Sequence, residues 1–81
     1  MRVLDDERLM ENIKELMDEN ATGLKIYSWE WNQEARRQGA HKVPPVGLIA
    51  QHVQEKYPEA VSELRGYLVI NYDKLHDLVG I

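Results

Sequence analysis

Side chains that could act as a nucleophile are few in this chain, and their spacing does not favour catalysis. The hydroxyl residues are Thr22, Ser28 and Ser62, and none of them lies in a G-x-S-x-G turn. A hydroxyl nucleophile needs a base within hydrogen-bond reach, and no histidine adjoins either serine in the sequence. The residues alone therefore predict no catalytic triad.

Metal and cofactor sites are not indicated either. The chain has no cysteine, and His41, His52 and His76 are far apart without the HxH or HExxH spacing of a metal site. Gly47 has no further glycines in the spacing of a nucleotide-binding loop. No pair of carboxylates stands out as a glycosidase pair. We expect neither a metal nor a cofactor.

The charge and the sequence pattern argue against a nucleic-acid-binding protein and against a membrane protein. The chain of 81 residues has a formal net charge of −4, which argues against nucleic acid as the main partner because phosphate binding relies on lysine and arginine. It has no signal-peptide pattern and no apolar run of the roughly 20 residues that span a bilayer, so we expect a soluble protein without a membrane partner. One domain over residues 1–81 would be small enough to depend on oligomerisation.

The first segment predicts a helix. Asp5 or Asp6 suits the N-cap, and apolar residues follow at helical spacing. Asn20–Gly23 would end the helix, with Gly23 in the left-handed C-cap conformation. The apolar face that would dock this helix comprises Leu9, Ile13, Leu16 and Met17.

The second segment predicts a strand. Residues 24–31 alternate, with Tyr27, Trp29 and Trp31 on one face, and this period is typical of a half-buried strand. We interpret the aromatic face as core or subunit contact rather than as a stacking platform.

The rest of the pattern completes an α+β fold of short helices with a small, mainly antiparallel sheet. In order it predicts a loop with one helical turn over 32–45, a buried strand over 46–50 and a helix over 51–57 ended by Pro58. A hairpin of 60–61 with 67–72 across a turn at 63–66 and a terminal helix capped by Asp73 follow.

Several motifs, in order, resemble the intramolecular chaperone auto-processing domain of phage endosialidase tailspikes, tail fibres and neck appendages. They cover residues 5–13, 27–31, 46–55, 57–61 and 67–75. In that family a serine attacks the preceding peptide bond and a lysine serves as general base. Asp5 stands at the serine position and Met10 at the lysine position. A thioether accepts no proton at neutral pH, and a carboxylate forms no ester intermediate, so we expect a chain that is not an enzyme and does not cleave itself.

The resemblance also implies roles for further residues and a trimeric assembly. Three copies would bring fibre chains into register in the host cytoplasm during virion assembly, with retention on the virion as an open alternative. The domain would act either as a separate small protein or as a C-terminal piece that stays attached to its fibre. The family's long C-terminal helices have no counterpart here, which predicts a weaker trimer. The matching motif positions are Asp6, Arg8, Asn12, Gly47, Gln51, Pro58 and Tyr72; the core or interface positions are Leu9, Ile13, Leu16, Trp29 and Trp31.

Alternatives from other classes remain at this point. A small acidic phage protein that binds and inhibits a host protein fits the charge and length equally well. An active peptidase would need an unrecognised nucleophile such as Ser28. The order of helix and hairpin alone would also suit a winged-helix DNA-binding protein.

Overall fold

The computed structural model describes residues 2–17 and 23–79, which form an α+β fold as predicted. The strands are β1 (Arg2–Val3), β2 (Met10–Met17), β3 (Ile26–Trp31), β4 (Val46–Gly47), β5 (Val61–Leu64) and β6 (Tyr67–Asn71); the helices are α1 (Gln33–Gln38), α2 (Ala50–Lys56) and α3 (Tyr72–Val79). Single 3₁₀ turns occupy Glu7–Leu9, Ala40–Lys42 and Pro58–Ala60.

Two three-stranded antiparallel sheets make up the scaffold. The first has the order β1-β6-β5 and the second the order β2-β3-β4. Residues 4–9 therefore pass from one sheet to the other. The first sheet separates two apolar clusters: Val61, Leu68 and Ile70 pack with α2 and α3 on one face, and Tyr67 packs with Leu9 and α1 on the other.

The helix predicted after Asp6 is wrong. Only the turn Glu7–Leu9 is helical, and the chain then continues as β2. Pairing with β3 overrides the helical spacing, and the register shifts between Glu11 and Lys14 and between Glu15 and Met17. Such bulges add residues to a strand and break its alternation, so apolar residues three and four apart do not require a helix.

The docking role predicted for that helix is consequently corrected for three residues. Leu9 is fully buried, but Ile13, Leu16 and Met17 are 41%, 54% and 61% exposed and do not belong to the core. The predicted helix end falls partly on residues 20–22, which lie outside the described residues. Gly23 does have a positive φ of +77°, and it lies shortly before β3.

Later elements follow the predictions more closely. The aromatic strand β3, the helix before Pro58 and the hairpin are confirmed. The segment 46–50 is a strand only at Val46–Gly47, because Ala50 already begins α2. The predicted loop 32–45 contains α1, which Asn32 caps through its side chain. Asn71, not Asp73, caps α3 by accepting a hydrogen bond from the Lys74 backbone at 3.1 Å.

No helix among the described residues is long and apolar enough to cross a membrane.

Candidate functional site

Asp6 is the centre of a buried polar network between the two sheets. Its side chain is fully buried and caps the 3₁₀ turn by accepting a hydrogen bond from the Arg8 backbone at 2.9 Å. The same oxygen accepts from Gln51 Nε2 at 2.8 Å, and the second oxygen accepts from the Leu68 backbone N–H at 2.7 Å. One carboxylate thus joins the start of β2, α2 and β6.

The Arg8 guanidinium supplies the charge that balances this carboxylate. Its Nε and one terminal nitrogen donate to the two Asp6 oxygens at 3.1 and 2.7 Å. Burial disfavours the ionised form of Asp6, but the hydrogen bonds from Arg8, Leu68 and Gln51 outweigh it and lower the pKa of Asp6 to about 2. Asp6 is therefore a carboxylate at neutral pH.

Arg8 and Gln51 extend the network to the hairpin and to the turn. The guanidinium donates to the Gly66 carbonyl at 2.7 Å and lies 4.9 Å from the centre of the Tyr67 ring, a cation–π geometry. Gln51 Oε1 accepts from the Glu7 backbone N–H at 2.9 Å. The motif residues Asp6, Arg8 and Gln51, which are far apart in sequence, thus form one connected group.

Asp5 lies next to the network but is buried with fewer hydrogen-bond partners than Asp6. Its side chain is only 3% exposed, one oxygen accepts a hydrogen bond from the Tyr72 hydroxyl at 2.9 Å, and the other oxygen has no partner among the described residues. Burial raises the pKa of Asp5 to about 6 despite the Tyr72 hydrogen bond. Burial, and then the Asp5 charge, raise the pKa of the Tyr72 hydroxyl in turn.

Gly47 and the residues after it form the wall against which Asp5 and Met10 lie. The Asp5 carbonyl accepts from the Ala50 backbone at 2.7 Å, and Met10 is buried in a cluster with Trp29 and Ile49. Gly47 has a φ of +145°, and a β-carbon there would stand 3.8 Å from the Tyr72 hydroxyl.

The two side chains that lie against this wall are a carboxyl group, from Asp5, and a thioether, from Met10. Asp5 offers a weak oxygen nucleophile held by Tyr72, and the Met10 side chain is packed among apolar groups. A general base must accept a proton at the working pH, which the thioether does not. The two side chains provide no nucleophile–base pair of the Ser–Lys type.

Two motif residues lie outside the network. Asn12 has a φ of +53° in the bulged part of β2, and its amide donates to Glu30 Oε2 at 2.7 Å. Pro58 begins a 3₁₀ turn after α2 and is exposed.

The two tryptophans predicted for the core or interface differ in burial. Trp29 is 4% exposed, whereas Trp31 is half-buried and donates from its indole N–H to the Val43 carbonyl at 2.8 Å.

Sequence reasoning missed Asn32 and the backbone of Leu68. Asn32 Nδ2 donates to the Arg8 carbonyl at 2.9 Å, and its oxygen accepts from the Ala35 backbone at 2.9 Å. An asparagine before Gln-Glu-Ala is an N-cap signal that could have revealed the second contact. The Leu68 contribution is a backbone N–H and leaves no signal in its side-chain type.

The chain matches the sequence profile of a known protein family. The sequence profile described as chaperone of endosialidase matches residues 6–62, which is more than half of the chain. The matched range contains Asp6, Arg8, Gly47 and Gln51. No curated protein and no solved structure matches the chain.

Proposed function

The chain belongs to the chaperone of endosialidase family, and we propose that it is a folding and trimerisation chaperone for a phage tail fibre or tailspike that does not cleave itself. The family match supports the chaperone role. The finer claims, that the domain is proteolytically silent and works as a homotrimer in the host cytoplasm, are our inference.

The observation that carries the proposal is the contrast between two neighbouring residues. Asp6 keeps a complete set of partners from Arg8, Gln51 and Leu68. Asp5, one position earlier, is a carboxyl where the family resemblance implies a serine, and Met10 replaces the lysine. In this proposal the network around Asp6 stabilises the domain, while Asp5 and Met10 supply no Ser–Lys pair for cleavage.

Chaperone action in this proposal is physical rather than chemical. Bringing three fibre chains together at one end removes part of the loop-closure entropy that opposes pairing of distant segments. Folds dominated by such non-local pairing are slow to form and exposed to aggregation. The register of the fibre strands would then be established before the rest of the fibre folds. No peptide bond between the fibre and this domain would be cleaved afterwards.

The experiment is a fusion of a tail-fibre C-terminal segment to the N-terminus of this chain. We expect a soluble fibre that keeps the domain attached, seen as one species by intact mass. The matched control is the same fusion with Asp6→Asn, in which we expect less soluble fibre at unchanged covalent mass.

Two results would contradict the proposal. Release of the domain by cleavage between Leu4 and Asp5 would show that it is an active peptidase. Equal yield of soluble fibre with the domain, with the Asp6→Asn variant and without any domain would remove the chaperone role.

A further inference from the structure

Asp5 is a buried carboxyl with too few hydrogen-bond donors for its ionised form. Its side chain is 3% exposed, one oxygen accepts from the Tyr72 hydroxyl at 2.9 Å, and the other oxygen has no partner among the described residues. A carboxylate taken out of water needs donors at both oxygens to offset the lost solvation. The geometry of the site therefore favours a neutral carboxyl.

The backbone that carries Asp5 is held on its other sides. The next residue, Asp6, accepts hydrogen bonds from the Gln51 side chain and the Leu68 backbone at 2.8 and 2.7 Å. The Asp5 carbonyl accepts from the Ala50 backbone at 2.7 Å. These contacts join the segment 4–9 to α2 and β6, so the segment does not carry Asp5 out to water without breaking them.

Helix α3 contacts Asp5 through its first residue, Tyr72. This polar contact is the hydrogen bond from the Tyr72 hydroxyl. The rest of the helix is attached by apolar packing, with Leu75 buried in the core and Leu78 partly buried against it. Displacement of Tyr72 together with α3 is therefore the route by which water reaches the Asp5 carboxyl.

We propose that the Asp5–Tyr72 contact is a pH-sensitive switch between the segment 4–9 and α3, closed while Asp5 is protonated and opened when Asp5 ionises. Opening moves Tyr72 and α3 outward and lets water solvate the carboxylate. The switch lies within one copy of the chain, so it does not depend on the trimer of the proposed function.

The other groups around Asp5 leave its own ionisation as the change that operates the switch. Tyr72 faces it from α3, and burial and the Asp5 charge raise the pKa of that hydroxyl, so it stays a donor. The remaining charged side chains of α3 are exposed. Asp6 on the same segment is ionised and paired with Arg8, and the segment 47–50 has no titratable side chain.

The direction of the pH dependence follows from burial. Burial raises the pKa of Asp5 from 3.8 to about 6 in the closed form, and the solvated carboxyl of the open form has the ordinary value. The contribution of Asp5 to the closed form is therefore complete below 3.8 and is lost as pH rises through about 6. The equilibrium constant for opening should rise roughly fiftyfold between pH 4 and pH 7.

A cysteine placed on α3 reports this opening, because the chain has no cysteine of its own. Leu75→Cys, at a buried position, is labelled with dithiodipyridine at pH 4 and pH 7, and each rate is divided by that of an exposed cysteine peptide. We expect the corrected rate to rise roughly fiftyfold in this variant and less than about threefold when Asp5→Asn is added. Leu78→Cys is the second reporter, and circular dichroism verifies that each variant is folded.

The matched control is Val53→Cys, a fully buried position on α2 in the same core cluster. Its labelling should be slower than that of Leu75→Cys at pH 7, because only wider unfolding exposes it. Tyr72→Phe in the Leu75→Cys chain should raise the rate at pH 4 by about fivefold, since the contact is lost while Asp5 is neutral. An equal rise with and without Asp5→Asn, equal rates at Val53 and Leu75, or no effect of Tyr72→Phe at pH 4 would overturn the switch.

Discussion

Asp5 and Asp6 are adjacent buried carboxyls that respond to pH in opposite directions. The Asp6 carboxylate accepts hydrogen bonds from the Arg8 guanidinium and from three further N–H donors, on the Arg8 backbone, the Leu68 backbone and the Gln51 side chain. Its ionised form is therefore favoured in the fold. Asp5 accepts one hydrogen bond, from the Tyr72 hydroxyl, and its other oxygen is buried without a partner among the described residues. Its neutral form is therefore favoured. The number of donors aimed at each carboxyl, rather than the residue type, decides which form the fold stabilises.

Asp5→Asn should stabilise the protein at neutral pH. The folded pKa of Asp5, about 6, lies above the ordinary value of 3.8, so its stabilising contribution is complete below the ordinary value and is lost as pH rises through about 6. The amide has no charge to lose, and we expect a gain of about 1–2 kcal/mol in the free energy of unfolding at pH 7. Urea unfolding at pH 4 and pH 7 measures it; an equal difference between variant and parent at both pH values would contradict the argument.

Asp6→Asn should destabilise the protein. The folded pKa of Asp6, about 2, lies below the ordinary value, so its contribution is complete above that value and lost as pH falls through about 2. The Arg8 side chain is 57% exposed and regains water, but the buried amide NH2 of the variant cannot accept the hydrogen bonds that one carboxylate oxygen accepted, at a loss of about 2 kcal/mol at pH 7. Gln51→Ala removes a neutral donor and should lose about 1 kcal/mol. Denaturant unfolding of the two variants at pH 7 compares them, and equal losses would argue against the central role of the charge.

Introducing a serine and a lysine at positions 5 and 10 tests the proposal that the chain does not cleave itself. In a variant with Asp5→Ser and Met10→Lys, the introduced lysine would be buried beside Trp29 and Ile49, where a lowered pKa makes it a better base. We expect slow cleavage after Leu4, detected as loss of the residues before position 5 by intact mass. Asp5→Ser alone should stay whole, and cleavage in that single variant would show that the lysine position is not required.

At the scale of elements, the sequence predicted the hairpin turn and the end of α2 better than it predicted the helix caps or the first long element. The hairpin followed from Gly66 and its flanking strand residues, and the end of α2 from Pro58. β2 was missed because its apolar residues are spaced as in a helix, and only the pairing with β3 and the bulges explain that spacing. The polar network was partly foreseen as motif positions, but which side chains meet depends on how 4–9 crosses between the sheets.

Gly47 is the position where one element depends on backbone freedom. Its φ of +145° is a conformation that residues with a β-carbon rarely adopt, and β4 must take it to bring the following residues against Asp5. Gly47→Ala should cost about 2–3 kcal/mol, more than the roughly 1 kcal/mol expected for Gly39→Ala, whose left-handed φ of +78° and open surroundings are more tolerant. Thermal unfolding distinguishes them, and a smaller loss at Gly47 would contradict the strain argument.

At the scale of the whole molecule, the network around Asp6 ties both sheets to α2 inside one copy. The exposed apolar side chains of Ile13, Leu16 and Met17 on β2 take no part in that core. A small chaperone that brings three chains into register needs both a stable unit and a repeated contact.

Native mass spectrometry of the parent chain over a concentration series tests the central claim most directly, because it reports subunit mass and assembly together. We expect a trimer whose subunits each keep the full 9.5 kDa of the chain. Monomers at every concentration, or subunits lacking the residues before Asp5, would contradict a non-cleaving trimeric chaperone.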